Sequence, residues 1–377
     1  MYKTYLTRAT IYFTLIFFVD IALGFINDPY MVFHKPWMHE KYYFKDMRNQ
    51  AAGIINTHEF DSIILGTSMT QNTSAEEASS VFGGNFVNIS IGGGLILERS
   101  KVLKYALNKK DIKNVIMTLD VFGDFGKYRQ DILFPEYLYD ESLLNNIKFY
   151  MGFNKAGYLF CNNLIFHNKC PFVVNDIKRV NEWYSDPVNK RRFGGIGNWI
   201  EYSGDPLIKN ELYKIVSTVK NNAISVNENR VMKIKNNDKK IIKNYLLNHV
   251  VENPNVNFYL FFPPYSRIKH VLWKKYDPSE YLIYKYRIES VLNLLKSYSN
   301  VHVFGYDNRP FVDNISNYKD TGHYHPKINS SILRWMKEGD GELRLDALQS
   351  YFNDMDEKIN EYDLQNMVDL IRYKLEK

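Results

Sequence analysis

The sequence predicts an α/β protein in which helices cover both faces of a mostly parallel β-sheet. Short apolar or β-rich runs, each followed by turn or polar residue types, lie at residues 61–65, 86–91, 115–119, 256–262 and 301–304. Stretches with helical spacing, such as residues 98–107 and 281–298, lie between several of these runs. Strands that alternate with helices form parallel sheets, whose ligands bind beyond the carboxyl ends of the strands.

The N-terminal segment indicates the compartment. Residues 9–25 are apolar or near neutral in hydropathy apart from Asp20, and Lys3 and Arg8 precede them. As a helix this segment would span roughly 25 Å, at about 1.5 Å per residue, which is just enough for a bilayer core. The basic residues favour a cytoplasmic N-terminus. We therefore expect a single-pass membrane protein with an extracytoplasmic (periplasmic or cell-surface) C-terminal domain.

Two other interpretations of this segment stay open. Ala22 and Gly24 form the small-x-small pattern of a signal-peptide cleavage site, although the apolar run is longer than usual for such a peptide. The third interpretation is a buried core helix. Asp20 in the middle of the segment favours that interpretation, because a charge at the centre of a bilayer is costly.

The predicted domain organisation has five parts. Residues 1–27 form the membrane anchor, and a proline-containing linker or strap follows at residues 27–37. Residues 28–124 and 249–338 supply the two halves of the α/β domain. Between them, residues 125–248 break the alternation but keep frequent hydrophobic residues, which predicts an inserted, largely helical cap. Residues 339–377 show the periodicity of amphipathic helices.

Composition argues against several classes of function. The net charge of +6 is not gathered into a basic stripe with a nucleic-acid module, so nucleic acid is not an expected partner. No G-x-G-x-x-G motif or P-loop is present, and we expect no cofactor. Cys161 and Cys170 lack zinc-site spacing, and either a disulfide or two free thiols fits them. No spacing suggests a shared metal among His34, His167, His249, His270 and His302.

The strongest local motif is Gly66-Thr67-Ser68-Met69, directly after the first strand. A serine on a glycine-initiated turn at the end of a buried strand has its hydroxyl near a helix start, where backbone N–H groups can stabilise an oxyanion. By itself the motif is weak, since such a serine is as often a helix N-cap.

The second motif follows the last strand. Asp320 precedes His323 by three residues, a spacing that lets a carboxylate orient one imidazole nitrogen while the other faces a serine. His325 competes for the same role. A serine after the first strand together with D-x-x-H after the last strand is much rarer by chance than either motif alone.

This arrangement resembles the SGNH or GDSL-type hydrolases. In that family, these two blocks supply a serine, histidine and aspartate triad, and a glycine and an asparagine complete the oxyanion hole. The resemblance implies a three-layer, flavodoxin-like fold and catalytic roles for Ser68, His323 and Asp320. It also implies that Gly92 or Gly93, within the NISIGGG segment, donates a backbone N–H to the oxyanion.

The sequence departs from the family at two positions. Thr67 stands where the family usually has aspartate, and Asp120 stands near the place of the family's oxyanion asparagine. An ionised carboxylate that points into the site would oppose an oxyanion. Three explanations stay open: another group supplies the donor, Asp120 holds the turn, or the chemistry is slow.

Together with the apolar N-terminal segment, DPYMVFH at residues 28–34 and FFPPYS at residues 261–266 make the likeness closest to membrane-anchored proteins that act in O-acetylation or D-alanylation of envelope polysaccharides. It implies extracytoplasmic, serine-dependent ester hydrolysis or O-acyl transfer on a cell-envelope polysaccharide. The alternative is a non-catalytic, membrane-anchored subunit that binds polysaccharide or a membrane-bound acyltransferase. Arg191, Arg192 and Trp199 in the predicted cap are either substrate contacts or ordinary structural residues.

Overall fold

A computed structural model describes residues 2–37, 41–123, 127–128, 133–140, 142–150, 173–220 and 224–375. The chain divides into two compact units. The first comprises Met1–Phe60, Lys101–Asp111 and Arg129–Asn181, and the second comprises Asp61–Ser100, Ile112–Tyr128 and Glu182–Lys377. Cys161, Cys170 and His167 lie outside the described residues.

The described strands are, in chain order, β1 (Tyr43–Phe44), β2 (Ser62–Leu65), β3 (Phe86–Asn88), β4 (Asn114–Thr118), β5 (Val173–Val174), β6 (Asn257–Phe261) and β7 (Val301–Phe304). The described α-helices are α1 (Tyr2–Asn27), α2 (Met47–Thr57), α3 (Ala75–Phe82), α4 (Ile96–Lys109), α5 (Leu143–Tyr150), α6 (Pro187–Arg191), α7 (Ile196–Glu201), α8 (Pro206–Lys220), α9 (Glu228–Ile242), α10 (Asn248–Glu252), α11 (Arg267–Tyr276), α12 (Pro278–Leu295), α13 (Pro326–Glu338), α14 (Leu348–Glu361) and α15 (Gln365–Leu375). A π-helical turn, Lys243–Leu247, joins α9 to α10.

The second unit contains the predicted sheet. Five strands pair in the order β3-β2-β4-β6-β7, and every pair is parallel. All five predicted apolar runs form these strands, so the predicted α/β class with a parallel sheet is confirmed. The strands are short and mostly buried, with Ile63, Ile64 and Phe258 inaccessible to solvent, as expected for strands that helices cover on both faces.

The strand order creates the position for a site. β2 pairs with β3 on one side and with β4 on the other, so the connections leaving the carboxyl ends of β2 and β4 diverge. Open α/β sheets bind ligands at such a switch point. Ser68 follows β2, Gly92 and Gly93 follow β3, and Asp120 follows β4.

Helix α1 is longer than the predicted apolar segment. It runs over 26 residues with a mean hydropathy of 2.1 in its most apolar window, and 6% of that window is buried. Among the described residues it is the one helix long and apolar enough to cross a membrane. Such exposure does not fit a buried core helix.

The segment after α1 packs into the first unit. Tyr30, Met31 and Val32 are buried. The buried Asp28 carboxylate accepts hydrogen bonds from the amides of Val32, Phe33 and His34, and the Tyr150 hydroxyl also donates to it. Burial raises the pKa of Asp28, and these hydrogen bonds oppose the rise. The predicted linker is therefore an ordered strap.

Residues 125–248 divide between the two units. Helix α5 and strand β5 belong to the first unit, where β5 pairs antiparallel with β1, a pairing that the sequence did not indicate. Helices α6 to α9 belong to the second unit. The predicted domain boundaries stay a prediction. The predicted C-terminal helices are present as α14 and α15, which bury Phe352, Met355 and Ile371.

Gly53 in α2 tests the packing of the strap. A Cβ at this position would lie 1.7 Å from the Tyr30 carbonyl oxygen, so a side chain must displace backbone. We expect Gly53→Ala to destabilise the protein by about 1–3 kcal/mol or more, the usual cost of overpacking. The matched control is Gly197→Ala in α7, where a Cβ would meet nothing within 4 Å. Thermal unfolding followed by circular dichroism should show a lower midpoint for Gly53→Ala alone, and equal midpoints would contradict the packing.

Candidate active site

The nucleophile candidate lies on a turn that its neighbours hold tightly. Gly66 directly follows β2, and a Cβ there would lie 2.2 Å from Thr70 Oγ1 and 2.6 Å from Thr118 Oγ1, so a larger residue does not fit. The Gly66 amide donates to Ser90 Oγ and the Thr67 amide to Thr118 Oγ1, at 3.1 and 3.3 Å. The turn is therefore fastened to the strands on both sides, and Ser68 stands at its partly exposed tip.

The predicted glycine loop lies beside this turn. The Ile91 amide donates to the Gly66 carbonyl oxygen at 2.9 Å, which joins the two segments. Gly93 has a φ of 60°, a left-handed conformation that favours glycine. The Gln71 carboxamide nitrogen lies 3.2 Å from the point that a Cβ on Gly92 would occupy, so this loop packs against the residues that follow Ser68.

His323 faces Ser68, although 255 residues separate them in sequence. Ser68 Oγ is 2.8 Å from His323 Nε2, and His323 Nδ1 is 2.9 Å from both carboxylate oxygens of Asp320. The Asp320 carboxylate also accepts the backbone amides of Gly322 and His323, at 3.0 and 2.7 Å. A carboxylate held on Nδ1 makes that nitrogen the donor and leaves Nε2 free to accept the proton of Ser68.

Two cationic side chains lie near the Asp320 carboxylate. Arg192 Nη2 and Lys319 Nζ lie 3.9 and 4.0 Å from its Oδ2. Burial by itself would raise the pKa of Asp320, but the charge and hydrogen bonds of His323, together with Lys319, outweigh it and hold the pKa below its ordinary value. Asp320 is therefore ionised at neutral pH, as a carboxylate that stabilises an imidazolium must be.

A second acid supports the D-x-x-H turn from helix α8. Glu211 accepts hydrogen bonds from the amide and the hydroxyl of Thr321, at 3.0 and 2.7 Å. Burial and the nearby negative charge of Asp320 both raise the pKa of Glu211. The sequence offered no signal for this residue, because its partner lies 110 residues away.

The Asp120 carboxylate contacts the turn that carries Ser68. The Thr67 hydroxyl donates to Asp120 Oδ2 at 2.6 Å, and Arg99 Nη1 lies 3.5 Å from Oδ1. Arg99 is fully buried and also donates to the carbonyl oxygens of Thr118 and Asp120. Of the three explanations left open by the sequence, this geometry fits the one in which Asp120 holds the turn.

The two histidines of the final motif have different partners. His325 Nδ1 accepts the Lys327 amide at 3.2 Å as the N-cap of α13, which leaves the proton on Nε2, 2.8 Å from the Tyr184 hydroxyl. Both ring nitrogens of His325 are thus engaged away from Ser68. Burial and the charge of Lys327 lower the pKa of His325.

The three cap residues that the sequence suggested as possible substrate contacts also differ in their surroundings. Trp199 is fully buried and donates from its indole to the Tyr318 carbonyl oxygen at 3.1 Å. Arg192 pairs with Asp205 and lies beside Asp320, whereas Arg191 is exposed. Trp199 and Arg192 therefore make contacts within the second unit that fit ordinary structural residues.

Sequence reasoning missed Trp183, which lies at the site itself. Its indole N–H donates to the Ser68 carbonyl oxygen at 2.8 Å, and its ring meets the His323 ring edge to face, with centroids 5.7 Å apart. Nothing in the sequence signalled this role, because Trp183 belongs to a segment without a helix or strand period.

Within the described ranges, no group of three or more histidine, cysteine, aspartate or glutamate side chains is arranged to hold a metal ion. Comparisons with protein-family models, with curated proteins and with solved structures found no match to this chain.

Replacing Asp120 should test its part in the buried pair. Asp120→Ala removes the acceptor of the Thr67 hydroxyl and leaves the Arg99 charge buried without its carboxylate, a loss that typically costs about 3–5 kcal/mol. Asp120→Asn keeps an acceptor and should cost less. The control is Asp346→Ala, whose carboxylate pairs with Arg344 on the exposed surface and whose loss should leave the unfolding midpoint nearly unchanged. Urea unfolding measures all three, and equal midpoints for Asp120→Ala and Asp346→Ala would contradict the pairing.

Proposed function

We propose that the chain is a serine-dependent enzyme that hydrolyses an acyl ester or transfers its acyl group to a hydroxyl. One observation carries the proposal: Ser68, His323 and Asp320 form a continuous chain of hydrogen bonds, 2.8 and 2.9 Å long, at the carboxyl edge of the parallel sheet. Nucleophile, base and orienting carboxylate within hydrogen-bond reach are the geometry of an activated serine.

The reaction follows from the roles of these atoms. Ser68 Oγ attacks the ester carbonyl while His323 Nε2 takes its proton, and Asp320 stabilises the resulting imidazolium. The imidazolium then returns the proton to the leaving alcohol, which leaves an acyl group on Ser68. In the second half, His323 activates either water or an acceptor hydroxyl, and the acyl group passes to that oxygen.

The tetrahedral intermediate needs hydrogen-bond donors for its oxyanion. The Ser68 amide makes no hydrogen bond within the part of the chain that the structure describes. It is our first candidate donor, and the backbone of Gly92 or Gly93 in the adjoining loop is the second. Asp120 is excluded from this role because its carboxylate is engaged with Thr67 and Arg99.

We further propose that the enzyme works outside the cytoplasm on a cell-envelope polysaccharide. Support for the location comes from α1, whose length and apolar composition suffice to cross a membrane, and from Lys3 and Arg8 near its start. The acceptor class rests on the likeness of the apolar N-terminal segment, of DPYMVFH at residues 28–34 and of FFPPYS at residues 261–266 to envelope-modifying SGNH-type proteins.

Turnover by the purified full chain in detergent tests the chemistry. With p-nitrophenyl acetate, we expect Ser68→Ala and His323→Ala each to lower kcat/KM by about 10³-fold or more, because the triad acts as a unit. His325→Ala should lose far less, since that ring is bonded to Tyr184.

The control for these variants is Ser350→Ala, an exposed position on α14. Transfer of acetyl to an added envelope polysaccharide would identify a transferase rather than an esterase. If the wild type is no faster than Ser68→Ala under every condition, the enzyme proposal is wrong, and the non-catalytic subunit that binds polysaccharide or a membrane acyltransferase replaces it.

A reporter fusion tests the location. Alkaline phosphatase fused after Asn27 should be active and should stay with the membrane fraction, because α1 is not removed and the basic residues hold its N-terminus in the cytoplasm. Replacing Lys3 and Arg8 by glutamate should reduce that activity by weakening the orientation. Activity from a cytoplasmic reporter at the same junction would contradict the topology, and release from the membrane would identify a cleaved signal peptide.

A further inference from the structure

We propose that Trp183 is a positioning residue for the candidate reaction, which holds the nucleophile turn and the base in register through one rigid side chain. The inference rests on the proposed serine chemistry. It adds a residue that neither the motifs nor the resemblance assigns.

The first contact fixes the backbone of the nucleophile. The Trp183 indole N–H donates to the carbonyl oxygen of Ser68 itself at 2.8 Å. On the other side of Ser68, the Thr67 carbonyl oxygen accepts the Thr70 amide at 3.1 Å. The peptide groups before and after Ser68 are therefore both held, which leaves the direction of its Cα–Cβ bond little freedom.

The second contact fixes the base. The Trp183 and His323 rings meet at 85° with centroids 5.7 Å apart, a favourable edge-to-face arrangement. Asp320 holds the imidazole through Nδ1, but a hydrogen bond at one nitrogen still permits the ring to swing about that bond. The indole limits this swing, so Nε2 stays on the line to Ser68 Oγ.

Trp183 can act in this way because it is itself clamped. Lys319 Nζ lies 4.3 Å from its ring centroid, and the Phe193 ring lies parallel to it at 6.3 Å. Its carbonyl oxygen accepts the Asn189 side-chain amide at 3.1 Å. The next residue, Tyr184, donates its amide to Asn72 Oδ1 in the segment that follows Ser68.

The contacts of the indole that bear on the reaction are with the protein's own groups. Its N–H donates to the Ser68 carbonyl oxygen and its ring meets the His323 ring, while Lys319 Nζ lies over the indole. Misplacing a reacting group by about 1 Å can slow a reaction by roughly 100-fold. Loss of this hydrogen bond should therefore lower kcat. KM should change little, because a positioning residue does not bind the substrate.

The test compares Trp183→Phe and Trp183→Ala in the full chain with Trp335→Phe, a matched change in α13. Trp183→Phe keeps an aromatic ring but removes the indole N–H together with part of the ring system, and Trp335→Phe makes the same change in side-chain size. We expect kcat for p-nitrophenyl acetate to fall about 10-fold in Trp183→Phe and further in Trp183→Ala. KM should stay within about twofold of the wild type, and the thermal midpoint of Trp183→Phe should match that of Trp335→Phe.

A fluorophosphonate separates this inference from the function on which it rests. Ser68 Oγ forms a bond to phosphorus, the P–F bond breaks with release of fluoride, and His323 takes the serine proton. Labelling therefore needs the aligned serine and base but no acceptor. We expect the labelling rate of Trp183→Phe to fall by about the same factor as kcat.

Each outcome decides between the proposals. If wild-type Ser68 is not labelled and no ester turns over, the proposed function is wrong and the Trp183 inference falls with it. If the wild type is labelled and Trp183→Phe reacts equally fast, the function stands and only the positioning role is overturned. A rise in KM at constant kcat would show a substrate contact, and a loss that merely follows a lowered thermal midpoint would show a structural role; both overturn the inference.

Discussion

The placement of β2 between β3 and β4 is the constraint on which the site depends. Parallel pairing to both neighbours brings three carboxyl ends to one edge of the sheet, so that Ser68, the glycine loop and Asp120 converge although 52 residues separate the first from the last. Hydrogen bonds then join the turn after β2 to its neighbours, among them Gly66 to Ser90 and Thr67 to Thr118. Strand pairing brings the segments after β2, β3 and β4 together, and hydrogen bonds from side chains then fix their relative positions.

Two aspartates at this edge have separate tasks because their surroundings differ. Asp120 is buried against Arg99 and Thr67, where it holds the turn that carries Ser68. Asp320 is held by its own turn and by His323, with Arg192 and Lys319 nearby, and its pKa is lowered. The Asp320 carboxylate thus contacts the imidazole, whereas the Asp120 carboxylate contacts Thr67 and Arg99 inside the fold. Such pairing is what makes buried charge tolerable.

The same division applies to the two histidines of the final motif. His323 and His325 lie two residues apart, yet only His323 faces Ser68, because the imidazole of His325 caps α13 and bonds to Tyr184. Trp183 and Tyr184, which are adjacent in sequence, each contact one of these histidines. A short segment of the predicted cap region therefore contacts both histidines and the Ser68 backbone.

Some of these features could be predicted because they are local. A buried strand shows as an apolar run, so all five strands of the sheet were found within two or three residues of their ends. The pairing of Asp320 with His323 needs only a three-residue turn, and the apolar composition of α1 is visible directly. The antiparallel pair of β1 with β5 was not predicted, because each of these strands has only two residues and a periodic pattern cannot be recognised over two residues.

The sequence by itself therefore determined the class of the fold, the positions of the serine and the D-x-x-H motif along the chain, and the presence of an apolar N-terminal helix. Only the tertiary structure decided which histidine meets Ser68, where the Asp120 carboxylate points, and that Trp183 and Glu211 support the site. The physical reason is that these contacts join residues more than 50 positions apart. Their geometry depends on strand order and on the packing of aperiodic segments, which no local pattern of residues encodes.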